Sequence, residues 1–355
     1  MKEKLAIFPY SNEISCLWKY SNLIRRYEIK YLISPKGWGL TGQEISLPSQ
    51  EQNVIIKIQD EFNGVDANNV DAVWITEEIN KIDQSVAIKI LDKFLNINIK
   101  VLYTTLVCSD IKDIIIKSGF SINLSEIENK EIKSVPAYYQ CDFNVPVIMV
   151  LGTSIMTEKF ELQLNIKREL QDKGYKVSHV GTKSFSNLFE SHPIPDWFFG
   201  RKYNEAEKIS MFNKYLKDIE THEKPDIIIV GIPESIMPLT HKHPFNYGVY
   251  AFEICCAVLP DYAILSLPYG EYNNEFYEEM ERLCRYRLNV KLDAFYISEY
   301  QPISISLKTP KLEFVKANGK ILKDVKYVVF GKSDNSFLGN HIVKKLSLYG
   351  EYQII

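Results

Sequence analysis

The feature that most limits the fold of this chain is the uninterrupted apolar run Val145-Pro146-Val147-Ile148-Met149-Val150-Leu151. It shows no polar alternation, so as a strand it must be covered on both faces, as in a parallel sheet flanked by helices. The run stops at Gly152, and a loop of small and hydroxylated residues follows as far as Thr157. From about residue 158 to 173, Leu162, Ile166 and Leu170 recur on one helical face, and Gly174 stands where a helix C-terminus is commonly closed. Strand, loop and helix in that order open an α/β unit.

The same rhythm continues downstream. Strands are predicted at 175–180, 225–230, 261–267 and 294–297, separated by helices at 205–220, 249–258 and 274–287. The first half alternates in the same way. Strands are predicted at 4–10, 29–33, 70–75 and 101–105, with helices at 14–26, 84–95 and from 111 onward. Residues 126–144 are polar and irregular and mark a boundary. After residue 303 come short alternating segments and a helix near 341–346. The expected architecture is α/β, with two Rossmann-like parallel-sheet domains. The first spans 1–140 and the second, P-loop-like, spans 145–300. A β-rich extension occupies 301–355.

Charge excludes one large function class. With a net charge of −3 the chain lacks the basic excess of a dedicated nucleic-acid binder. The N-terminal apolar run is too short for a secretion signal and is broken by Pro9, and nothing approaches a membrane span of about 20 apolar residues. The chain is therefore expected to be cytoplasmic, with no membrane partner. The six cysteines are scattered without a C-x-x-C pair, so they read as free thiols. The loop after the first strand, Pro9-Tyr10-Ser11-Asn12-Glu13, lacks the glycines of a dinucleotide site, so no NAD is expected there.

A working phosphate loop reads G-x-x-x-x-G-K-[ST]: glycines let backbone N–H groups wrap the phosphate, the lysine neutralises it, and the hydroxyl holds Mg²⁺. Here the segment is Gly152-Thr153-Ser154-Ile155-Met156-Thr157-Glu158-Lys159-Phe160. Thr157 holds the second glycine position and Glu158 the lysine position, and Lys159 comes one residue late. A carboxylate facing a triphosphate would repel it. A one-residue bulge would bring Lys159 into place, with Phe160 then at the magnesium position. Three outcomes stay open: nucleotide hydrolysis, anion binding without hydrolysis through the helix N-terminus and the Thr153, Ser154 and Thr157 hydroxyls, or a plain turn with Thr157 as helix cap.

Other candidates fall on the same predicted sheet rim. Lys183 and Ser184 follow the strand at 175–180 and supply a cation and a hydroxyl. Glu234 is the nearest acid after the strand at 225–230, because Asp226 precedes that strand whereas a metal-binding carboxylate should end it. His241 and His243 alternate in a proline-stiffened loop, but convergent ligands for zinc are lacking and no metal is expected. The candidate ligand or anion set is therefore Gly152, Thr153, Ser154, Thr157, Lys159, Lys183, Ser184, Glu234, His241 and His243. No nucleophile with a discriminating base partner is legible, so no catalytic residue is assigned.

Several local stretches carry a resemblance. They are Gly152-Thr153-Ser154, Lys159-Phe160-Glu161-Leu162-Gln163-Leu164, Gly231-Ile232-Pro233 with Met237-Pro238, Tyr250-Ala251-Phe252-Glu253-Ile254, Leu259-Pro260-Asp261-Tyr262 and Leu267-Pro268-Tyr269. In that order they resemble a clostridial family of peptide maturation system proteins, which sit beside radical SAM maturases and Cys-rich, bacteriocin-like precursor peptides. The resemblance implies an accessory protein that binds the precursor peptide, the radical SAM maturase or an anionic ligand, and it carries no catalytic residue with it. The alternative is a divergent nucleotide-dependent ligase or kinase acting on the peptide, with a nucleotide or other anion as the possible cofactor.

Overall fold

The computed structural model describes residues 2–47, 54–60, 69–96, 99–125, 140–303, 313–317 and 325–347. The chain divides into two compact units, one of Met1–Asn129 with Lys183–Asp196, the other of Lys130–Thr182 with Trp197–Ile355. The predicted boundary at 126–144 falls largely outside the described residues.

In the first unit, β1 (Glu3–Phe8), α1 (Cys16–Lys19) and β2 (Tyr27–Leu32) are followed by an antiparallel hairpin, β3 (Glu44–Leu47) with β4 (Val54–Lys57). Then come β5 (Ala72–Ile75), α2 (Gln84–Leu95), β6 (Lys100–Tyr103), α3 (Ser109–Lys117) and β7 (Ser121–Asn123). The five-stranded sheet runs β2-β1-β5-β6-β7 and is parallel throughout. This is the flavodoxin-like doubly wound order, with its reversal between β1 and β5. Val73 and Ile75 pack beneath Leu91 and Phe94 of α2 and Ile111 and Ile115 of α3.

Two local features of this unit differ from expectation. The helix predicted over 14–26 shrinks to α1, flanked by 3₁₀ turns at Asn12–Ile14 and Ser21–Leu23. Tyr20 leaves helical geometry (φ −120°, ψ 30°), and Ser21 and Asn22 offer side chains that compete for backbone groups. The β3–β4 hairpin is not among the predicted strands, and its strand Val54–Lys57 buries only Ile56.

In the second unit, β8 (Val147–Gly152) is buried along its whole length. α4 (Lys159–Asp172) and β9 (Val177–Gly181) follow. The inserted segment Lys183–Asp196 carries a short strand, β10 (His192–Pro193), and α5 (Asp196–Phe199) comes after it. Next are α6 (Glu205–Glu223), β11 (Ile227–Gly231), α7 (Val249–Ala257), β12 (Tyr262–Leu267), α8 (Asn274–Leu288) and β13 (Ala294–Ile297). The tail divides between two places. β14 (Tyr300–Ile303) and β15 (Glu313–Lys316) form an antiparallel pair, while β16 (Val329–Phe330) joins β13 in parallel and leads into α9 (Asn335–Ser347).

Within this unit β9, β11, β8, β12, β13 and β16 lie side by side in that order, all parallel. Leu162, Ile166 and Leu170 of α4 pack on Ile148 and Val150 of β8 and Ile229 of β11, together with Leu338 and Ile342 of α9. Each such side chain contributes roughly 1.5–3 kcal/mol on full burial, which holds α4 over the sheet. The chain steps from β8 out to β9 and back through β11, then crosses to β12 on the other side of β8. The order therefore reverses around β8, and in such sheets ligands sit beyond the strand C-termini at that point.

Candidate functional site

The loop that leaves β8 is tied down on both sides. Thr153 N–H donates to Ser266 O at 3.1 Å, and Ile236 N–H donates to Gly152 O at 2.9 Å. Ser235 Oγ donates to Thr153 O at 3.0 Å, and Ser266 Oγ donates to Thr157 O. These bonds consume the loop carbonyls. A Cβ at Gly152 would lie 2.5 Å from Lys159 Cδ and 2.8 Å from Thr157 Oγ1, so glycine is what lets the lysine chain fold back over the end of β8. Lys159 is only 6% exposed although it is the first residue of α4.

One expectation about this loop is corrected. Thr157 is not the helix cap: it is fully buried and its Oγ1 donates to Ser154 O at 3.3 Å. The cap position is Glu158, and its side chain makes no capping bond to the helix. The Glu158 backbone is left-handed (φ 55°), and its Oε2 accepts from Glu299 N–H at 2.7 Å. The left-handed region suits glycine, the residue that precedes the lysine in the motif. A left-handed Glu158 matches the one-residue bulge weighed above, an alignment that would set Lys159 at the lysine position and Phe160 at the hydroxyl position. Phe160 is buried and its ring stacks 6.2 Å from that of His179.

Ser154 is fully buried, and its hydroxyl has no hydrogen-bond partner among the described residues. Ile155 and Met156 are exposed at the loop tip. One helical turn beyond Lys159 on the same face of α4 lies Gln163, also fully buried. Its Oε1 is 3.0 Å from His179 Nε2, while its Nε2 has no partner among the described residues. A Cβ added to Gly231, the last residue of β11, would lie 2.3–2.5 Å from this carboxamide.

The remaining predicted residues distribute unevenly. Glu234 is in this unit, left-handed (φ 55°), and accepts from Asn246 Nδ2 at 2.7 Å. His243 Nδ1 meets Thr240 Oγ1 at 3.0 Å, and His241 is exposed on the same turn. That loop runs into a left-handed stretch, Phe245–Gly248, before α7. Three consecutive non-glycine residues there each carry strain of about 1–3 kcal/mol. Lys183 and Ser184 belong to the first unit, where Ser184 Oγ donates to Glu77 Oε2 at 3.2 Å. Burial pushes the Glu77 carboxyl up, against the pull of Lys183 and the Ser184 bond.

Sequence reasoning missed Gln163, His179 and Glu253. Gln163 did leave a signal: a polar residue four after a lysine, beside the apolar stripe of α4. Glu253 of α7 is 1% exposed, and its nearest cation, Lys208 Nζ, is 3.8 Å away. Burial pushes its carboxyl up, only partly offset by Lys208.

No protein-family model matches the chain, and no curated protein does. Among solved structures, it is similar to a DUF1611 family protein from Anabaena variabilis, with a TM-score of 0.54 at 10% identity over 83% of this chain and 88% of that one. A GTPase in apo form from Pyrococcus abyssi matches at TM-score 0.27 and 17% identity, over 42% of this chain and 66% of that one. The signal recognition particle receptor FtsY from Elizabethkingia anophelis matches at TM-score 0.31 and 11% identity, over 62% and 67%. Among the described residues no helix is long and apolar enough to cross a membrane. The chain has a mixed α/β fold of large parallel sheets, shared along most of its length with the Anabaena protein.

Proposed function

We propose that the second unit binds an anionic group at the loop 152–159 without hydrolysing a nucleoside triphosphate, and that the protein serves as an accessory factor in maturing a ribosomally made peptide. The observation that carries the binding reading is the fully buried Ser154 hydroxyl, without a partner among the described residues, in the loop that leads into a 14-residue helix. A buried donor without a partner costs about 1–3 kcal/mol, and a ligand oxygen would recover that. The helix end adds the positive pole of its dipole and Lys159 adds a basic side chain. The peptide-maturation role is supported by the local sequence resemblance, and the exposed Ile155 and Met156 at the loop tip suit contact with a partner.

Isothermal titration of the full chain with inorganic phosphate, pyrophosphate and ATP tests the site. Binding that Lys159→Met weakens, with no turnover of ATP or GTP, is the expected result. No heat and no thermal shift with any of the three would overturn it. Turnover that disappears in Lys159→Met would instead support the ligase or kinase alternative. Pull-down of the neighbouring precursor peptide and of its radical SAM maturase tests the accessory role, and failure of both would remove it.

A further inference from the structure

A P-loop fold implies Mg²⁺, but the residues of this site do not fit it. Metal binding there needs a hydroxyl after the lysine and an acid at the end of the neighbouring strand. Phe160 follows Lys159, and its ring is packed against His179. β11 lies directly beside β8 and ends in Gly231, paired in register with Val150. The space that a strand-end side chain would fill is taken by the Gln163 carboxamide, whose atoms lie 2.3–2.5 Å from where that side chain would begin. The nearest acid beyond, Glu234, accepts from Asn246 Nδ2. Asp226, at the opposite end of β11, accepts from Lys176 N–H at 2.7 Å.

We infer that the site takes a phosphate group directly, without a divalent cation, and that the Gln163 carboxamide replaces the metal carboxylate as a neutral donor. This rests on the anion-binding reading above. The Nε2–H of His179 donates to Gln163 Oε1, which leaves the amide nitrogen with hydrogens to offer and no partner among the described residues. Ser154 Oγ, just past the end of the neighbouring strand, is a second buried donor without a partner among the described residues. Lys159 and Gln163 are one turn apart on one face of α4. Their side chains lie against Gly152 of β8 and Gly231 of β11 respectively, so cation and amide sit above adjacent strand termini. A set of donors with one lysine and no carboxylate matches a phosphate oxyanion. A Mg²⁺–nucleotide complex would bring a cation that nothing here would coordinate.

The test is calorimetry of the full chain with inorganic phosphate, and with AMP as a phosphate monoester, each in EDTA and in excess Mg²⁺. Affinity for at least one of the two should be equal within about twofold in the two buffers, since no metal takes part. Gln163→Glu should weaken binding in EDTA by about tenfold or more, because a carboxylate then faces the phosphate. Gln163→Met keeps the volume but removes the donor, and should weaken it by about threefold to tenfold with an unchanged circular dichroism spectrum. Binding that Mg²⁺ strengthens tenfold overturns the inference. So does binding that depends on Lys159 but ignores both Gln163 variants, although anion binding itself would then stand. No binding in either buffer removes both. Preference for inorganic phosphate or for AMP distinguishes a free anion from an esterified ligand.

Discussion

The two units present the same kind of rim and equip it oppositely. Each is a parallel sheet whose strand order reverses beside its first strand, and each sends a loop from that strand toward a helix. In the first unit the loop after β1 is Pro9-Tyr10-Ser11, and the helix that follows has only four residues. The loop is closed from within, since Thr76 Oγ1 donates to Pro9 O at 2.7 Å. Buried hydroxyls without partners among the described residues occur there too, at Ser34 and Thr104, but each carboxylate near β5 has a lysine beside it, Glu78 with Lys81 at 2.9 Å and Glu77 with Lys183. In the second unit a glycine opens the loop, a long helix begins at it, and a buried lysine folds over the strand end. Topology places a strand-end rim at the order reversal in both cases. The sign of the charge and the length of the helix decide whether it can receive an anion.

Substitutions at the two rims can break or sharpen this contrast. The largest effect is expected from Gly231→Ala, because its methyl would overlap the buried Gln163 amide. A loss of about 2–3 kcal/mol in urea denaturation follows from overpacking, and adding Gln163→Ala should recover part of it. A wild-type urea midpoint for the single variant would show that the amide does not fill that space. Next, Lys159→Met should weaken phosphate binding by about 10- to 100-fold in calorimetry, whereas Lys183→Met in the first unit should leave it unchanged. Equal losses at both lysines would erase the distinction between the rims.

A smaller effect is expected at the first rim itself. Thr76→Val removes the hydroxyl that closes the β1 loop and leaves Pro9 O without that donor, so stability should fall by about 1–2 kcal/mol without change in phosphate affinity. The smallest effect is pH-dependent. The Glu77 carboxyl is raised chiefly by burial, so the folded protein holds its proton more tightly than the unfolded chain. The stability this contributes is fully present below the ordinary carboxylate range and is lost as pH rises through the raised value. Glu77→Gln should therefore match the parent in acid and gain on it as the pH climbs toward neutrality. A constant difference in thermal midpoint across pH 4 to 7 would count against the assignment.

How much of the site was legible depended on whether the signal was local. Gly152, Lys159 and the apolar stripe of α4 were readable, since a strand, a glycine and a helix face are patterns within about 20 residues. The placement of Glu158 was not. Its left-handed backbone is coupled to a bond with Glu299 N–H, a residue far along the chain, and without that bond the alignment of the motif looks wrong by one. Lys183 and Ser184 looked like rim residues because they follow a strand of the second unit, yet the segment they open packs with the first.

The alternation of strands and helices outside the β3–β4 hairpin, the parallel character of both sheets and the presence of a loop–helix junction after Leu151 were determined by sequence alone. Apolar periodicity and glycine placement act through neighbours in the chain. Which residues face each other at the strand ends was decided only by tertiary structure. The carboxamide that fills the space at Gly231 comes from α4, its partner His179 from β9, and the buried Ser154 from the loop between. These elements meet because strands that are distant in sequence pair side by side. A pattern in one dimension cannot specify which buried donor is left without an acceptor.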